Sequence, residues 1–267
     1  MTVHSISGAS QTPATPQSRR VALIAGGAGG IGKEVAIELL RSGIAVAIGD
    51  IDVQRAAAVA TDLTSIGTDV IWVELNITEQ SSVSRAVAEV GQRLGPIDVL
   101  INSAGWNSAA SLLKSDEAYW RQMIEVNLLG GIRITHAVLG GMIDRGYGRI
   151  VHIAGEAGRA GTANQSLMSA ANGGTIAFVK AMAREVMDKG VTVNCLSPGP
   201  TATPMLDQLI QYAEDAAEMV ASLRGAVPMG RLGQPHDIAP VVAFLASEGA
   251  AFVTGQTISV SGGMTMT

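Results

Sequence analysis

The 267-residue chain has little cysteine, little aromatic content and little charge. Its one cysteine, Cys195, has no partner for an internal disulfide. Because it lies in the apolar run Val193-Asn194-Cys195-Leu196, it is expected to be a buried structural thiol. Charged residues make up 15% of the chain, the net charge is −5 and no basic run occurs, which argues against nucleic acid or an anionic membrane surface as a partner. A small molecule is the expected partner. Residues 1–20 are rich in Ser, Thr, Pro and Gln and hold no apolar stretch long enough for a signal peptide or a membrane span, so they are expected to form a disordered tail and the cytoplasm is the default compartment. No metal site is expected. The chain has 3 tyrosines, Tyr119, Tyr147 and Tyr212, and none falls in the long stretch between the last two.

Apolar residues, by contrast, are plentiful at 47%, enough for one large core in a single α/β domain over residues 21–267. The chain is organised around Val21-Ala22-Leu23-Ile24-Ala25-Gly26-Gly27-Ala28-Gly29-Gly30-Ile31-Gly32, where an apolar run meets a glycine cluster and an amphipathic segment begins. This is a strand, a turn and a helix. Gly26, Gly30 and Gly32 give a tight turn, a backbone that a pyrophosphate can approach and close helix-to-strand packing, while free N–H groups at the helix start face the anion. The next apolar run, Ala45-Val46-Ala47-Ile48-Gly49, ends at Asp50, where a dinucleotide fold places the carboxylate that takes ribose hydroxyls. A carboxylate there repels a 2′-phosphate, no Lys or Arg lies between Gly26 and Gly32, and Ile51 follows, so the expected cofactor is NAD and not NADP. The alternative is that Asp50 only caps a helix beginning near Val53.

Strand and helix patterns then alternate: helix from about Val53 to Ile66, strand Asp69–Leu75, helix Ser81–Leu94, strand Val99–Ile101, one long helix from about Asp116 to Asp144, strand Arg149–Ile153, helix Leu167–Asp188, strand Thr192–Leu196, helix Pro235–Ser247 and strand Thr257–Val260. The segment from Pro204 to Arg224 reads as a mobile lid. Strands separated by helices demand a parallel, doubly wound sheet flanked by helices, with ligands at the carboxyl ends of the strands. That rule gathers Gly26–Gly32, Asp50, Asn76, Asn102–Gly105, Gly155–Gln165 and Pro198–Thr203 into one crevice.

From about Arg20 onward these residues resemble the short-chain dehydrogenase/reductase family, a single-domain Rossmann-type fold. Ala25–Gly32 looks like its TGxxxGIG turn, Asn102-Ser103-Ala104-Gly105 like its NNAG, and Pro198-Gly199 followed by Thr203 like its PG turn. Within the family, members acting on cyclic hydroxyacyl thioesters look most similar through Asn102–Trp106 and the run Gly255–Thr265. The resemblance implies cofactor contacts from Gly26, Gly29, Gly30, Ile31 and Gly32, from Asp50, Ile51, Asn76 and Ile77, from Asn102, Ala104 and Gly105, from Asn172, and from Pro198, Gly199, Thr201 and Thr203. It implies a catalytic or helix-bending role for Asn127, substrate-pocket walls at Trp106, Met168 and Met205, and a homo-dimer or homo-tetramer joined through the 116–144 and 167–188 helices.

The family's chemistry runs on a Ser, a Tyr and a Lys, the last two at i and i+4 on one helix. In this chain the register puts Gly155, Met168 and Asn172 there. Reducing a ketone needs a proton donor and oxidising an alcohol needs a base, and such groups contribute about 10²–10⁴-fold. Met168 can be neither, and Asn172 is neutral. Glu156 is the candidate replacement acid, against the plainer reading of a solvated loop carboxylate; His152 is read as a packed histidine within a strand, and Ser166 and Ser169 have no evident base beside them. Two functions follow. One is an NAD-dependent oxidoreductase with an atypical site acting on a cyclic or acyl-thioester hydroxy/oxo compound. The other is a non-redox member, either a silent subunit paired with an active paralogue in a hetero-oligomer or an NAD-holding isomerase or sensor.

Overall fold

A computed structural model describes residues 19–67, 69–211 and 215–266, so most of the expected tail lies outside the described residues. Arg20, assigned to that tail by composition, belongs to the fold. The Ala45 N–H donates to its carbonyl (2.9 Å), and its guanidinium lies 3.4 Å from the centroid of the Tyr147 ring.

Seven strands, β1 (Val21–Ala25), β2 (Ala45–Asp50), β3 (Val70–Glu74), β4 (Val99–Asn102), β5 (Gly148–Ile153), β6 (Val191–Pro198) and β7 (Thr257–Val260), make one parallel sheet in the order β3-β2-β1-β4-β5-β6-β7. The expected doubly wound sheet is present. In β1 every residue is buried, and alternation sorts the side chains into two cores: Val21, Leu23 and Ala25 on one face, Ala22 and Ile24 on the other. Burial on both faces explains how a strand with two alanines in five residues forms. Ala has low strand propensity, but full burial of Leu23 and Ile24 contributes about 1.5–3 kcal/mol each, more than the propensity scale spans.

The first core is covered by α3 (Gln80–Arg93), α5 (Gly130–Asp144) and α7 (Ser166–Val186), and the second by α1 (Gly30–Arg41), α2 (Val53–Leu63) and α10 (Pro235–Leu245). Cys195 is fully buried in the first core, and burial pushes its thiol pKa up to about 12, as an inert structural thiol requires.

The long helix and the lid gain detail. The helix from 116 to 144 is continuous but not regular: α4 (Glu117–Ile124) runs into a π segment, Glu125–Leu129, and then α5. By length and composition this 28-residue run could cross a membrane, yet its second half packs on β4, β5, α3 and α7 within the fold. The lid also has regular structure, since α8 (Pro204–Gln211) and α9 (Ala216–Gly225) occupy it; Tyr212 lies outside the described residues.

His152 on β5 is fully buried and hydrogen-bonded at both nitrogens. Because the Asn102 amide faces Nδ1 (3.3 Å), Nε2 carries the proton toward Thr135 Oγ1 (3.0 Å), and the Thr135 hydroxyl donates to the Gly131 carbonyl (2.8 Å). Burial lowers the His152 pKa from 6.5 to about 4. Below pH 6.5 the unfolded chain therefore takes up a proton that the native chain refuses, so stability is lost as pH falls toward 4, by up to about 3 kcal/mol. Urea midpoints are expected to be level above pH 7 and to fall between pH 6.5 and 5. In His152→Gln that fall should shrink by about one proton's worth; an unchanged slope would assign the effect to other groups.

Candidate functional site

The strand order reverses between β1 and β4, and such a switch point opens a crevice at the carboxyl ends. Here the glycines are needed. Gly26 has φ of +72°, and a Cβ on it would stand 2.6 Å from the Ala104 backbone nitrogen, so the β1 turn lies directly on the β4 loop. A Cβ on Gly32 would run into the Gly26 carbonyl, and one on Gly30 would come within 3.2 Å of Thr203 and Pro204. The β1 turn thus touches two of the other loops gathered by the sequence. Gly29 is the N-cap of α1 and offers no side-chain cap, and the first turn holds no acidic residue, so the leading N–H groups of the helix keep their positive end open to an anion.

Asp50 closes the other side. Its Oδ2 accepts from the Ala28 N–H (3.1 Å) and its Oδ1 from the Asp52 N–H (3.1 Å), which fixes the carboxylate beside the turn. The capping alternative fails, because α2 is capped by Asp52, whose carboxylate accepts from the Arg55 N–H (3.0 Å). Ile51 is 68% exposed at the rim.

Other residues expected at the cofactor also hydrogen-bond or pack within the chain. The Asn76 amide donates to Glu79 (2.9 Å) and its Oδ1 accepts from the Thr78 N–H (3.1 Å). Ile77 is buried against Gly130, where a Cβ would stand 2.6 Å from it. Asn102 is buried and turned toward His152, leaving the backbone of Ser103, whose N–H donates to the Ala25 carbonyl (2.9 Å), to shape that wall. In the last loop Thr201 Oγ1 donates to the Gly199 carbonyl (2.8 Å), and Gly199 lies so close to Ser261 that a Cβ would be 2.9 Å from its Cα.

Met168 and Asn172 lie one turn apart on α7 and are both buried. The β5 loop is pressed against them: a Cβ on Gly155 would stand 3.0 Å from Asn172 Nδ2, and one on Gly158 in α6 (Ala157–Ala160) 2.6 Å from Asn172 Cβ. Asn127 sits in the π segment. Its Oδ1 accepts from the Trp106 N–H (3.0 Å), its Nδ2 donates to the Trp106 carbonyl (2.9 Å) and to the Met123 carbonyl (3.1 Å), and its own carbonyl accepts from Thr175 Oγ1 (3.2 Å).

Glu156 is not the solvated loop carboxylate that was its plainer reading. It is buried, its Oε2 accepts from the Thr265 hydroxyl, and the Arg159 guanidinium is 3.9 Å away, so the carboxylate is drawn toward the last described residues of the chain. The two described tyrosines have other surroundings. Tyr119 gives its hydroxyl to the Ser108 carbonyl (2.8 Å) and burial raises its pKa; Tyr147 lies at the opposite end of the sheet beneath Arg20 and Arg149, pushed up to about 12 by burial.

A family model described as enoyl-(acyl carrier protein) reductase matches residues 26–265. The chain belongs to the short-chain dehydrogenase/reductase family. It is 39% identical to the (2S)-[(R)-hydroxy(phenyl)methyl]succinyl-CoA dehydrogenase subunit BbsD of Thauera aromatica over 247 residues, which are 92% of this chain and 97% of that one. It is 38% identical to the 3-oxoacyl-[acyl-carrier-protein] reductase FabG of Vibrio cholerae, across 92% of this chain and 98% of the reductase. Among solved structures, a variant of actinorhodin polyketide ketoreductase with NADPH superposes with a TM-score of 0.89 at 33% identity, covering 94% of this chain and 99% of the other.

As a short-chain dehydrogenase/reductase, the chain has two features that sequence reasoning did not find. Gly158 is required by the approach of α6 to α7, and Thr175 occupies the carbonyl of Asn127. Only the glycine-rich spacing Gly155-Glu156-Ala157-Gly158 hinted at the first.

Proposed function

We propose that the chain is an NAD(H)-binding oxidoreductase with an atypical active site, in which Gly155, Met168 and Asn172 stand where its relatives use Ser, Tyr and Lys. The proposed substrate is a small cyclic or acyl-thioester hydroxy/oxo compound. The residues fit the cofactor: a turn that any Cβ would fill, an uncapped helix start for the pyrophosphate and the fixed Asp50 carboxylate for ribose hydroxyls. When bound, a nicotinamide supplies hydride exchange at its ring. The chain's own part is to orient and to exclude water. Met168 offers an apolar, polarisable wall, and Asn172 offers an amide that hydrogen-bonds without charge. The acyl-thioester assignment draws on the CoA and acyl-carrier-protein thioesters for which the Thauera and Vibrio relatives are named. In the cell the chain is proposed to act in the cytoplasm as a homo-dimer or homo-tetramer.

The observation that carries the cofactor half is the Asp50 carboxylate held by Ala28 beside the glycine turn. Its test is calorimetric titration with NADH, followed by absorbance at the nicotinamide band with cyclic ketones and oxoacyl thioesters. Binding with turnover supports the proposal; absence of NADH binding sinks it. A second function is favoured by a specific observation: none of Gly155, Met168 and Asn172 titrates, and Glu156 is tied to Thr265. On that account the chain is a silent partner of an active paralogue, an arrangement suggested by the word subunit in the name of the Thauera protein. Binding without turnover alone, and altered turnover when the active paralogue is co-expressed, would select it.

A further inference from the structure

We propose that Trp106 is a specificity-determining residue that makes the pocket select a neutral, ring-bearing acyl group. This rests on the proposal that the crevice takes a hydroxy/oxo acyl compound. Trp106 follows the β4 loop at the carboxyl end of the sheet and is half-buried. Its backbone is gripped from both ends by one side chain, since Asn127 accepts from its N–H and donates to its carbonyl (3.0 and 2.9 Å). Its indole meets the Tyr119 ring edge-on, with centroids 5.6 Å apart, and the Tyr119 hydroxyl is anchored to the Ser108 carbonyl (2.8 Å). Further along, the Ala110 N–H donates to the Asn164 carbonyl (2.9 Å), which ropes the β4 loop to the segment preceding α7. The indole is therefore pre-positioned before any ligand arrives.

What these two rims present is uncharged. Residues 103–113 and 160–179 contain no Asp, Glu, Lys, Arg or His. The Asn127 amide is spent on Trp106 and Met123. An acyl group ending in a carboxylate would meet no cation on these rims and would be desolvated without a partner, whereas a flat or cyclic group gains contact with a rigid aromatic and with thioether surface.

The test uses the full chain saturated with NADH and three N-acetylcysteamine thioesters: 2-oxocyclohexanecarboxyl, 3-oxobutanoyl and 3-oxoglutaryl. Binding is read by calorimetric titration, which needs no turnover, with quenching of tryptophan fluorescence recorded alongside it. The cyclic probe is expected to bind about 10-fold tighter than either other probe, the scale on which apolar pockets discriminate. In Trp106→Ala that preference should vanish, and in Trp106→Phe part of it should remain while the quench from position 106 is lost. A prior NADH titration of each variant separates the failures. A chain that does not bind NADH refutes the cofactor proposal. A chain that binds NADH but shows equal affinity for the three probes, binds none of them, or keeps its ring preference in Trp106→Ala refutes the role of Trp106.

Discussion

The triple variant Gly155→Ser, Met168→Tyr, Asn172→Lys is expected to reduce cyclic ketones about 10²–10⁴-fold faster than the native chain, the range that a positioned proton donor contributes. Two of the three changes, at positions 155 and 172, are coupled sterically. A side chain at position 155 begins 3.0 Å from the Asn172 amide nitrogen, so in Gly155→Ser alone the Asn172 amide must give way by a few tenths of an ångström. Non-additivity is thus part of the expectation: Gly155→Ser alone should lose stability, and the loss should be partly recovered with Asn172→Lys. Tyr at position 168 enlarges a buried residue and is expected to cost about 1–3 kcal/mol of overpacking, which melting curves will register. Rates are then compared between folded, NADH-saturated samples. A variant that folds, binds NADH and gains no rate would show that proton delivery is not what the native site lacks.

Much of this site was legible because its physics is local. β1, β2 and β4 are buried on both faces and read as continuous apolar runs, and the Gly26–Gly32 turn carries its backbone requirement in its own residues. Asp50 was legible by spacing, although telling it from the true cap two residues on required the Asp52–Arg55 hydrogen bond. The rest depends on partners distant in the chain. Glu156 looks solvated in sequence because the Thr265 hydroxyl that claims it is 109 residues away. Asn102 belongs to a recognisable motif, yet its side chain is directed inward by His152 on the neighbouring strand. The π segment at 125–129 left no mark on an apolar pattern that continues through it, since one extra residue in a turn shifts the faces without breaking the run. The two lid helices are short and bury no residue, so the pattern of buried positions that marks the other helices is missing from them.

The native chain should bind NADH at least about 10-fold more tightly than NADPH, and Asp50→Ser with Ile51→Arg should invert that order. The preference is electrostatic and turns on which group faces the ribose. Asp50 is held beside the turn by two backbone N–H groups, so it cannot swing away from an added 2′-phosphate. Position 51 is 68% exposed at the rim, where an arginine can reach the phosphate without displacing core atoms. A hydrogen bond to a charged group is worth about 1.5–3 kcal/mol, so its removal should weaken NADH by about 10- to 150-fold while the new guanidinium strengthens NADPH. Serine retains an acceptor for the Ala28 N–H, which keeps the turn intact and the comparison clean. Calorimetry with both cofactors on both chains decides it. Equal affinities in the native chain would mean that the Asp50 carboxylate serves the glycine turn and not the cofactor, and the preference for NAD would fall with it.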